Sequence, residues 1–112
     1  MNHYRYNPAI RTNIRTTNWK MSDFLQYGWV QFRNAVSYSG HKVSPNCETA
    51  CAWSLAGVIE RCFCRNEPLK LRITNAIKQR INTSLDEWND KENRRKEEVV
   101  KLIKEVETEL GL

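Results

Sequence analysis

Two prolines bound the apolar centre of the chain and limit what it can fold into. Ser44 followed by Pro45 is typical of a helix start, because serine can cap a helix and proline at the first helical position lacks an amide that would be unpaired anyway. Pro68 predicts a break, because a proline inside a helix removes a hydrogen bond. Between the two prolines, apolar residues recur at helical spacing and cover much of the circumference: Cys47, Ala50, Cys51, Trp53, Leu55, Gly57, Val58, Ile59 and Cys62. This pattern predicts a central helix that other elements cover, with Gly57 as a point of close approach.

Three further segments show the same apolar periodicity, so we predict an all-α fold. Their expected bounds are from Ser22 to about Ser37, from Leu69 to about Thr83, and from about Asn93 to Leu110. We expect a compact bundle of about four helices that forms a single domain over residues 19–112. Residues 1–18 show no sustained period and are expected to form an irregular basic N-terminal arm.

The positive charge of the chain is concentrated near its start. The net charge is +5, and residues 1–46 carry six bases against one acid, whereas residues 47–112 carry twelve of each. Such asymmetry favours nucleic acid or another acidic partner, although a solvated arm without a partner would show it too. Bases would contact phosphates and tyrosines would stack on nucleobases. The candidates are Arg5, Arg11, Arg15, Lys20, Tyr4 and Tyr6, joined by Arg94, Arg95 and Lys96 at the start of the last helix.

The chain shows neither a membrane segment nor a secretion signal. No apolar run approaches the roughly 18 residues that are needed to span a bilayer. The first residues are polar, unlike the apolar stretch of a signal peptide. We therefore expect a cytoplasmic protein without a membrane partner.

The four cysteines do not fit a metal site. Cys62 follows Cys51 by eleven positions, which corresponds to roughly 16 Å along a continuous helix. Zinc–sulfur bonds of about 2.3 Å cannot bridge that distance. We predict reduced cysteines that pack as small hydrophobic side chains, with no metal and no cofactor. The four glycines are scattered, which excludes a glycine-rich phosphate loop.

Catalytic chemistry has weak support in the sequence, and we predict no catalytic residues. A cysteine nucleophile would need a base, and His41 beside Gly40 is the candidate. The carboxylates of residues 86–92 surround Trp88, but several bases accompany them, which favours a solvated loop over an acid–base pair. An enzyme that uses His41 with a carboxylate or a cysteine is the alternative.

The segment Trp88-Asn89-Asp90 lies between two apolar-periodic segments and favours a structural joint. A tryptophan at a junction between helices would close the end of the core, because its large ring buries much apolar surface. Asparagine and aspartate favour turns, since their side chains bond nearby backbone amides. We therefore interpret this segment as a connection rather than a catalytic loop.

Several of these residues resemble motifs of an uncharacterised family of small bacterial and phage-encoded domains. The family motifs are A-x-x-W-C-x-x-G-A and W-N-D followed by R-T-x-E-E-V. The matching residues are Trp29, Gly40, Pro45, Ala50, Trp53, Leu55, Gly57, Trp88, Asn89, Asp90, Arg94, Glu97, Glu98 and Val99. The resemblance covers about residues 19–106 and implies a bacterial or phage origin, but no activity. Ser54 replaces the family's cysteine and Arg95 its threonine, so no thiol chemistry carries over and the helix cap is expected at Asn93 or Asp90.

The sequence thus favours a small non-catalytic binding module that contacts nucleic acid or a nucleoprotein through its basic N-terminal region. The alternative is a protein–protein effector, encoded by a phage or a bacterium, that inhibits a host defence system. Its partner would contact an exposed aromatic patch formed by Trp19, Tyr27, Tyr38 and His41. The oligomeric state is left open.

Overall fold

The computed structural model describes residues 18–112, and all elements named below lie in that range. In chain order they are α1 Met21–Tyr27, β1 Ala35–Ser37, β2 Ala50–Trp53, α2 Leu55–Phe63, α3 Glu67–Ile81, α4 Leu85–Asn89 and α5 Lys96–Leu110. The two strands form one antiparallel sheet, with an irregularity in register between Val36 and Ser37. The predicted arm at residues 1–18 falls almost wholly outside the described residues.

The predicted all-α fold is wrong, because two of the predicted helices are part helix and part strand. The first ends at Tyr27, and β1 occupies its last three predicted residues. The central helix begins at Leu55 instead of Pro45, and β2 precedes it. Every residue of both strands is buried. Six of the seven strand residues are apolar, so these buried strands also satisfy a helical pattern.

Gly28 allows the segment after α1 to lie against β2. A Cβ atom at Gly28 would lie 2.1 Å from the backbone oxygen of Cys51, so a larger residue does not fit. The Gly28 carbonyl accepts a hydrogen bond from the Trp53 N–H at 3.0 Å, and Trp29 forms a parallel bridge with Trp53. The chain therefore leaves the helix and runs beside the strand instead of continuing to Ser37.

The start of α2 combines a serine cap with the close approach predicted at Gly57. The Ser54 hydroxyl accepts a hydrogen bond from the Gly57 N–H at 3.0 Å, which satisfies a free donor of the first turn. A Cβ atom at Gly57 would lie 1.9 Å from the backbone oxygen of Asn34, which confirms that only glycine fits. Pro45 lies outside the helix, where its carbonyl accepts a hydrogen bond from the Trp53 indole N–H at 3.0 Å.

The two long helices agree well with their predicted positions. Helix α3 begins at Glu67 with Pro68 in its first turn, and Asn66 caps it by accepting a hydrogen bond from the Leu69 N–H. Helix α5 ends before Gly111, which adopts a left-handed conformation. Each has 15 residues. Within residues 18–112, no helix has both the length and the apolar character needed to cross a membrane.

The core is one cluster between the helices and the sheet, with α2 and α5 near its centre. Helix α5 packs against α1 and α3, while α2 packs against α1, α3 and α4. The fully buried side chains of the core include Leu25, Leu55, Val58, Ile73, Ile77, Val99, Ile103 and Val106. The carboxylate of Glu107, also buried, accepts hydrogen bonds from the Ser22 hydroxyl at 2.7 Å and from its N–H at 3.1 Å. This pair fixes the start of α1 on α5.

Candidate functional site

Most of the predicted phosphate contacts of the arm lie outside the described residues. These are Arg5, Arg11 and Arg15, together with the stacking candidates Tyr4 and Tyr6. Lys20 is described and exposed, directly before α1, and its N–H donates to the Asp23 carboxylate at 2.9 Å. Because the side chain is exposed and this bond uses only the Lys20 backbone, the ammonium group is accessible to a phosphate.

Arg94 has a structural position that the sequence did not indicate. Its guanidinium lies 3.7 Å from the centre of the Trp88 ring, and its Nε donates to the Trp88 carbonyl at 2.9 Å. Its Nη1 lies 3.6 Å from Glu98, and only 12% of its side chain is exposed. A guanidinium stacked on an aromatic face and paired with a carboxylate is held in place. Arg94 therefore holds Trp88 against the protein.

Arg95 and Lys96 differ in their access to solvent. Arg95 is exposed and precedes α5, and its N–H donates to the Glu98 carboxylate at 2.8 Å. Lys96 is half-buried, and burial lowers the pKa of its ammonium group. The cap predicted at Asn93 or Asp90 is wrong, because Arg95 occupies the cap position and Asn93 adopts a left-handed φ of 68°.

The structure divides the predicted aromatic patch into two pairs. Trp19 packs at 5.1 Å from Phe24 and 5.8 Å from Tyr27, measured between ring centres, and both Trp19 and Tyr27 are half-buried against the core. Tyr38 and His41 are exposed and lie in the connection between the strands. The exposed part of the patch is therefore the turn with Tyr38 and His41.

The His41 ring belongs to a row of hydroxyl groups. Its Nδ1 lies 2.9 Å from the Ser39 hydroxyl, which lies 2.9 Å from the Ser37 hydroxyl. Gly40 completes the turn with a left-handed φ of 88°. The ring thus bonds a serine instead of the carboxylate or cysteine that the enzyme hypothesis needs.

Asn89 is the centre of a buried polar network that joins three segments of the chain. Its Oδ1 accepts hydrogen bonds from the Trp29 indole N–H at 2.8 Å and from the Leu55 N–H at 3.1 Å. Its Nδ2 donates to the Val30 carbonyl at 3.2 Å and to the Asp90 carboxylate at 2.8 Å. Both lone pairs and both protons of the amide are therefore used. This network supports the interpretation of Trp88-Asn89-Asp90 as a structural joint.

Phe32 is an exposed aromatic residue that the sequence analysis missed. It is 74% exposed and adopts a φ of 68°, which is unfavourable for a bulky residue. The Asp90 carboxylate holds this conformation by accepting a hydrogen bond from the Phe32 N–H at 2.8 Å. Beside it is a cleft of about 200 Å³, lined by Phe32, Arg33, Asn34, Lys42, Ser54, Asp86 and Asp90. Both signs of charge line this cleft.

The cysteines have the reduced state expected, with different degrees of burial. All four are free, and Cys51 is fully buried whereas Cys47, Cys62 and Cys64 are half-buried. Burial raises the pKa of the Cys62 thiol to about 12, while hydrogen bonds from Thr49 lower that of Cys47. Among residues 18–112, no three histidine, cysteine or acidic side chains are grouped so that they could hold a metal ion.

The second feature that the sequence analysis missed is the outer face of α3, which we define as Leu71, Arg72, Asn75, Lys78 and Gln79. All five residues are exposed, and Leu71 has 61% of its surface in solvent. Successive residues of a helix are about 100° apart, so the five lie within an arc of about 120°. The opposite side of the helix carries the buried Ile73, Ala76 and Ile77.

The bases of α3 fall into two groups. Lys70 lies 2.8 Å from Glu60 and 2.9 Å from Glu67, and Arg80 lies 2.6 Å from Glu109. Arg72 and Lys78, on the outer face, make no ion pair with any carboxylate of residues 18–112. Lys70 and Arg80 are thus paired with acids of the fold, whereas Arg72 and Lys78 are free to bind an anionic partner.

A local count of charge would have indicated this surface. Residues 61–82 carry six bases and one acid, whereas residues 83–112 carry six bases and nine acids. With Glu48 and Glu60, the charges of residues 47–112 sum to zero, so this part of the chain has no net charge. Between Glu67 and Asp86 there is no acid at all.

No protein-family model, curated protein or solved structure matches this chain. The resemblance to the uncharacterised bacterial and phage family therefore stays a prediction from its motif residues. Several of these motif residues nevertheless meet in the structure, since Trp29 and Asn89 share a hydrogen bond and Asp90 bonds the Asn89 amide.

Proposed function

We propose that the protein is a non-catalytic module that binds nucleic acid. The observation that carries this proposal is the outer face of α3, where Arg72 and Lys78 are exposed and unpaired on a helix without acids after Glu67. Phosphate groups are the anions that such a surface attracts most generally, since each contact releases condensed counterions.

The N-terminal region would add a second basic surface. Residues 1–22 carry four bases and no acid, and Lys20 is exposed where this region meets α1. In our proposal, Arg5, Arg11, Arg15 and Lys20 contact phosphates, while Tyr4 and Tyr6 stack on bases. Two basic surfaces on one small protein would make binding strongly dependent on salt.

The test is the affinity for labelled nucleic acid as a function of salt. Single-stranded and duplex DNA and RNA are titrated with the wild-type protein and followed by fluorescence anisotropy. The six bases of the two surfaces would lower the affinity by about 1,000-fold between 50 and 200 mM salt. Binding that is absent at low salt for all probes, or that does not change with salt, would contradict the proposal.

Two variants of equal net charge separate the contribution of the α3 surface to binding from the effect of net charge alone. Arg72→Ala with Lys78→Ala removes two bases from the outer face of α3, and Lys101→Ala with Lys104→Ala removes two exposed bases from α5. We expect the first pair to reduce the salt slope by about 2 and the second to leave it nearly unchanged. Deletion of residues 1–17 should weaken binding as well, and circular dichroism would verify that the fold is retained.

A protein partner is the second candidate function, and Phe32 is the observation that favours it. An aromatic side chain that is 74% exposed at an unfavourable φ is a suitable anchor for a partner. The partner would be a host protein if the chain is a phage-encoded or bacterial effector. Affinity purification after nuclease treatment, with Phe32→Ser as the comparison, tests this candidate: a protein captured equally by both variants would count against it.

A further inference from the structure

The outer face of α3 has the side-chain types that recognise base edges. Arginine donates two hydrogen bonds to guanine, asparagine and glutamine bond the N6 and N7 positions of adenine, and apolar side chains contact the methyl group of thymine. Arg72, Asn75 and Gln79 supply the first two types, and Leu71 supplies the third. A solvated helix surface is more often composed of glutamate and lysine pairs, as on α5.

The spacing of these residues fits the stacking of bases. Arg72, Asn75 and Gln79 follow at steps of three and four, so they form one row along the helix. The row is about 10 Å long at 1.5 Å per residue. This length corresponds to about three base pairs at 3.4 Å each.

The three side chains are not used by the fold. Arg72, Asn75 and Gln79 are exposed and make no side-chain hydrogen bond or ion pair within residues 18–112. Leu71 is 61% exposed, although burial of a leucine would be favourable. The helix therefore keeps a complete set of donors, acceptors and apolar surface for a partner.

The position of α3 allows a large partner to reach it. Its main contacts are with α2, α4 and α5, and the five residues of its outer face remain exposed. The major groove of DNA is about 12 Å wide and admits one α-helix. Helix α3 has 15 residues, so it is long enough to lie in the groove.

From these observations we infer that the outer face of α3 reads base pairs in the major groove of double-stranded DNA. This inference rests on the proposed nucleic-acid binding and specifies its substrate. Duplex RNA does not fit, because its major groove is too narrow for a helix. A second copy of the chain does not fit either, because the same face would bring Arg72 and Lys78 against their own equivalents.

An acidic residue, Asp86, limits the DNA-binding surface on one side of α3. A groove of about 480 Å³ runs along one side of α3, lined by Leu71, Thr74 and Lys78 on this helix and by Leu85 and Asp86 on α4. Asp86 would repel a phosphate, so the DNA backbone should pass on the opposite side. Arg65, exposed in the turn before α3, is a further base close to this helix in sequence.

The first experiment is a selection of bound sequences from random duplex DNA by the full chain. Wild type should enrich a short motif that includes a guanine or adenine. Asn75→Ala and Gln79→Ala should each lower the affinity for the selected duplex by about tenfold or more relative to a scrambled duplex. Gln26→Ala, an exposed amide on α1, is the matched control and should leave the preference unchanged.

Arg72→Lys separates base reading from charge. Lysine keeps the positive charge but lacks the planar fork of arginine. The salt slope should therefore stay the same, while the preference at one base pair is lost. If Arg72→Lys, Asn75→Ala and Gln79→Ala all keep the wild-type preference, or if no motif is enriched, the inference is overturned and the proposed function stands. If no nucleic acid binds at low salt, both fail; if duplex RNA binds as well as DNA, the inference alone fails.

Discussion

The indole N–H of Trp29 donates a hydrogen bond of 2.8 Å to the side chain of Asn89, and this contact links positions 60 residues apart inside the protein. Trp29 follows α1 and Asn89 ends α4, so the bond joins the first part of the described chain to its last third. Asn89 is fully buried. Within residues 18–112, the network around it is therefore one of two buried polar contacts that join distant parts of the chain, the other being that of Ser22 with Glu107.

Replacing Asn89 by alanine should destabilise the protein strongly. The change leaves the Trp29 indole, the Leu55 N–H and the Val30 carbonyl without their partner. Each buried polar group without a hydrogen bond costs about 1 kcal/mol or more, so the free energy of unfolding should fall by about 3 kcal/mol or more. Urea unfolding followed by tryptophan fluorescence measures it. Asn75→Ala, an exposed asparagine, is the control, and an equal effect of both would refute the role of the network.

Gly57→Ala should be destabilising although alanine favours helices. The added Cβ would lie 1.9 Å from the Asn34 carbonyl, so the backbone must move. We expect a loss of about 1–3 kcal/mol in the free energy of unfolding, against a gain in helix propensity of about 1 kcal/mol. Gly111→Ala has open space around it and a left-handed φ, so it isolates the cost of conformation. Thermal melts that rank Gly57→Ala as the milder change would contradict the close approach.

Phe32 offers a test of backbone strain. Because its φ is 68°, glycine should be more stable than alanine at this position by about 1 kcal/mol, the reverse of the usual order. Chemical unfolding of Phe32→Gly and Phe32→Ala gives the difference directly. A more stable Phe32→Ala would show that the left-handed conformation is not retained.

The two cysteines with altered pKa values should react at different rates. Hydrogen bonds from Thr49 lower the pKa of Cys47, whereas burial raises that of Cys62 to about 12. The thiolate is the reactive form, so iodoacetamide at pH 8 should label Cys47 first. Peptide mapping by mass spectrometry follows the two sites. Thr49→Val should slow the labelling of Cys47, and faster labelling of Cys62 would contradict the assignment.

The raised pKa of Cys62 should make the free energy of unfolding depend on pH in the alkaline range. Its folded pKa of about 12 is above the ordinary value of 9.0, so the folded state holds the proton more tightly than the unfolded chain. Its contribution to stability is complete below pH 9 and is lost as the pH rises toward 12. Cys62→Ala should therefore show a weaker decrease in stability over that range. Parallel curves for both proteins would exclude Cys62 as the cause.

The long helices were predictable because their sequences carry clear limits. Asn66 and Pro68 mark the start of α3, and Gly111 marks the end of α5. In both helices the buried residues recur at steps of three and four, as in Ile73, Ala76 and Ile77. In these two helices, local sequence signals were therefore sufficient to predict the bounds.

The sheet was not predictable in the same way. Val36 lies in β1 and Trp53 in β2, but each of them also fits a helical row of apolar residues. The choice between helix and strand depended on contacts distant in sequence, such as the fit of Gly28 against the Cys51 backbone. Such contacts leave no local signal.

The candidate site shows the same division. Charge and exposure on α3 could be read from the sequence by a local count, since the segment from Pro68 to Leu85 has no acid. The stacking of Arg94 on Trp88 could not, because it depends on the turn that brings the two side chains together. The sequence therefore assigned Arg94 to phosphate binding together with Arg95 and Lys96, whereas only 12% of the Arg94 side chain is exposed.

The contact between Ser22 and Glu107 brings together positions 85 residues apart, near the two limits of the described chain. A linker from Leu112 to Asn18 would therefore join two positions that each lie within five residues of this contact, and new termini could be opened in the exposed turn between Tyr38 and His41. Such a circular permutant would keep the core while moving residues 1–17 to any chosen place, or omitting them.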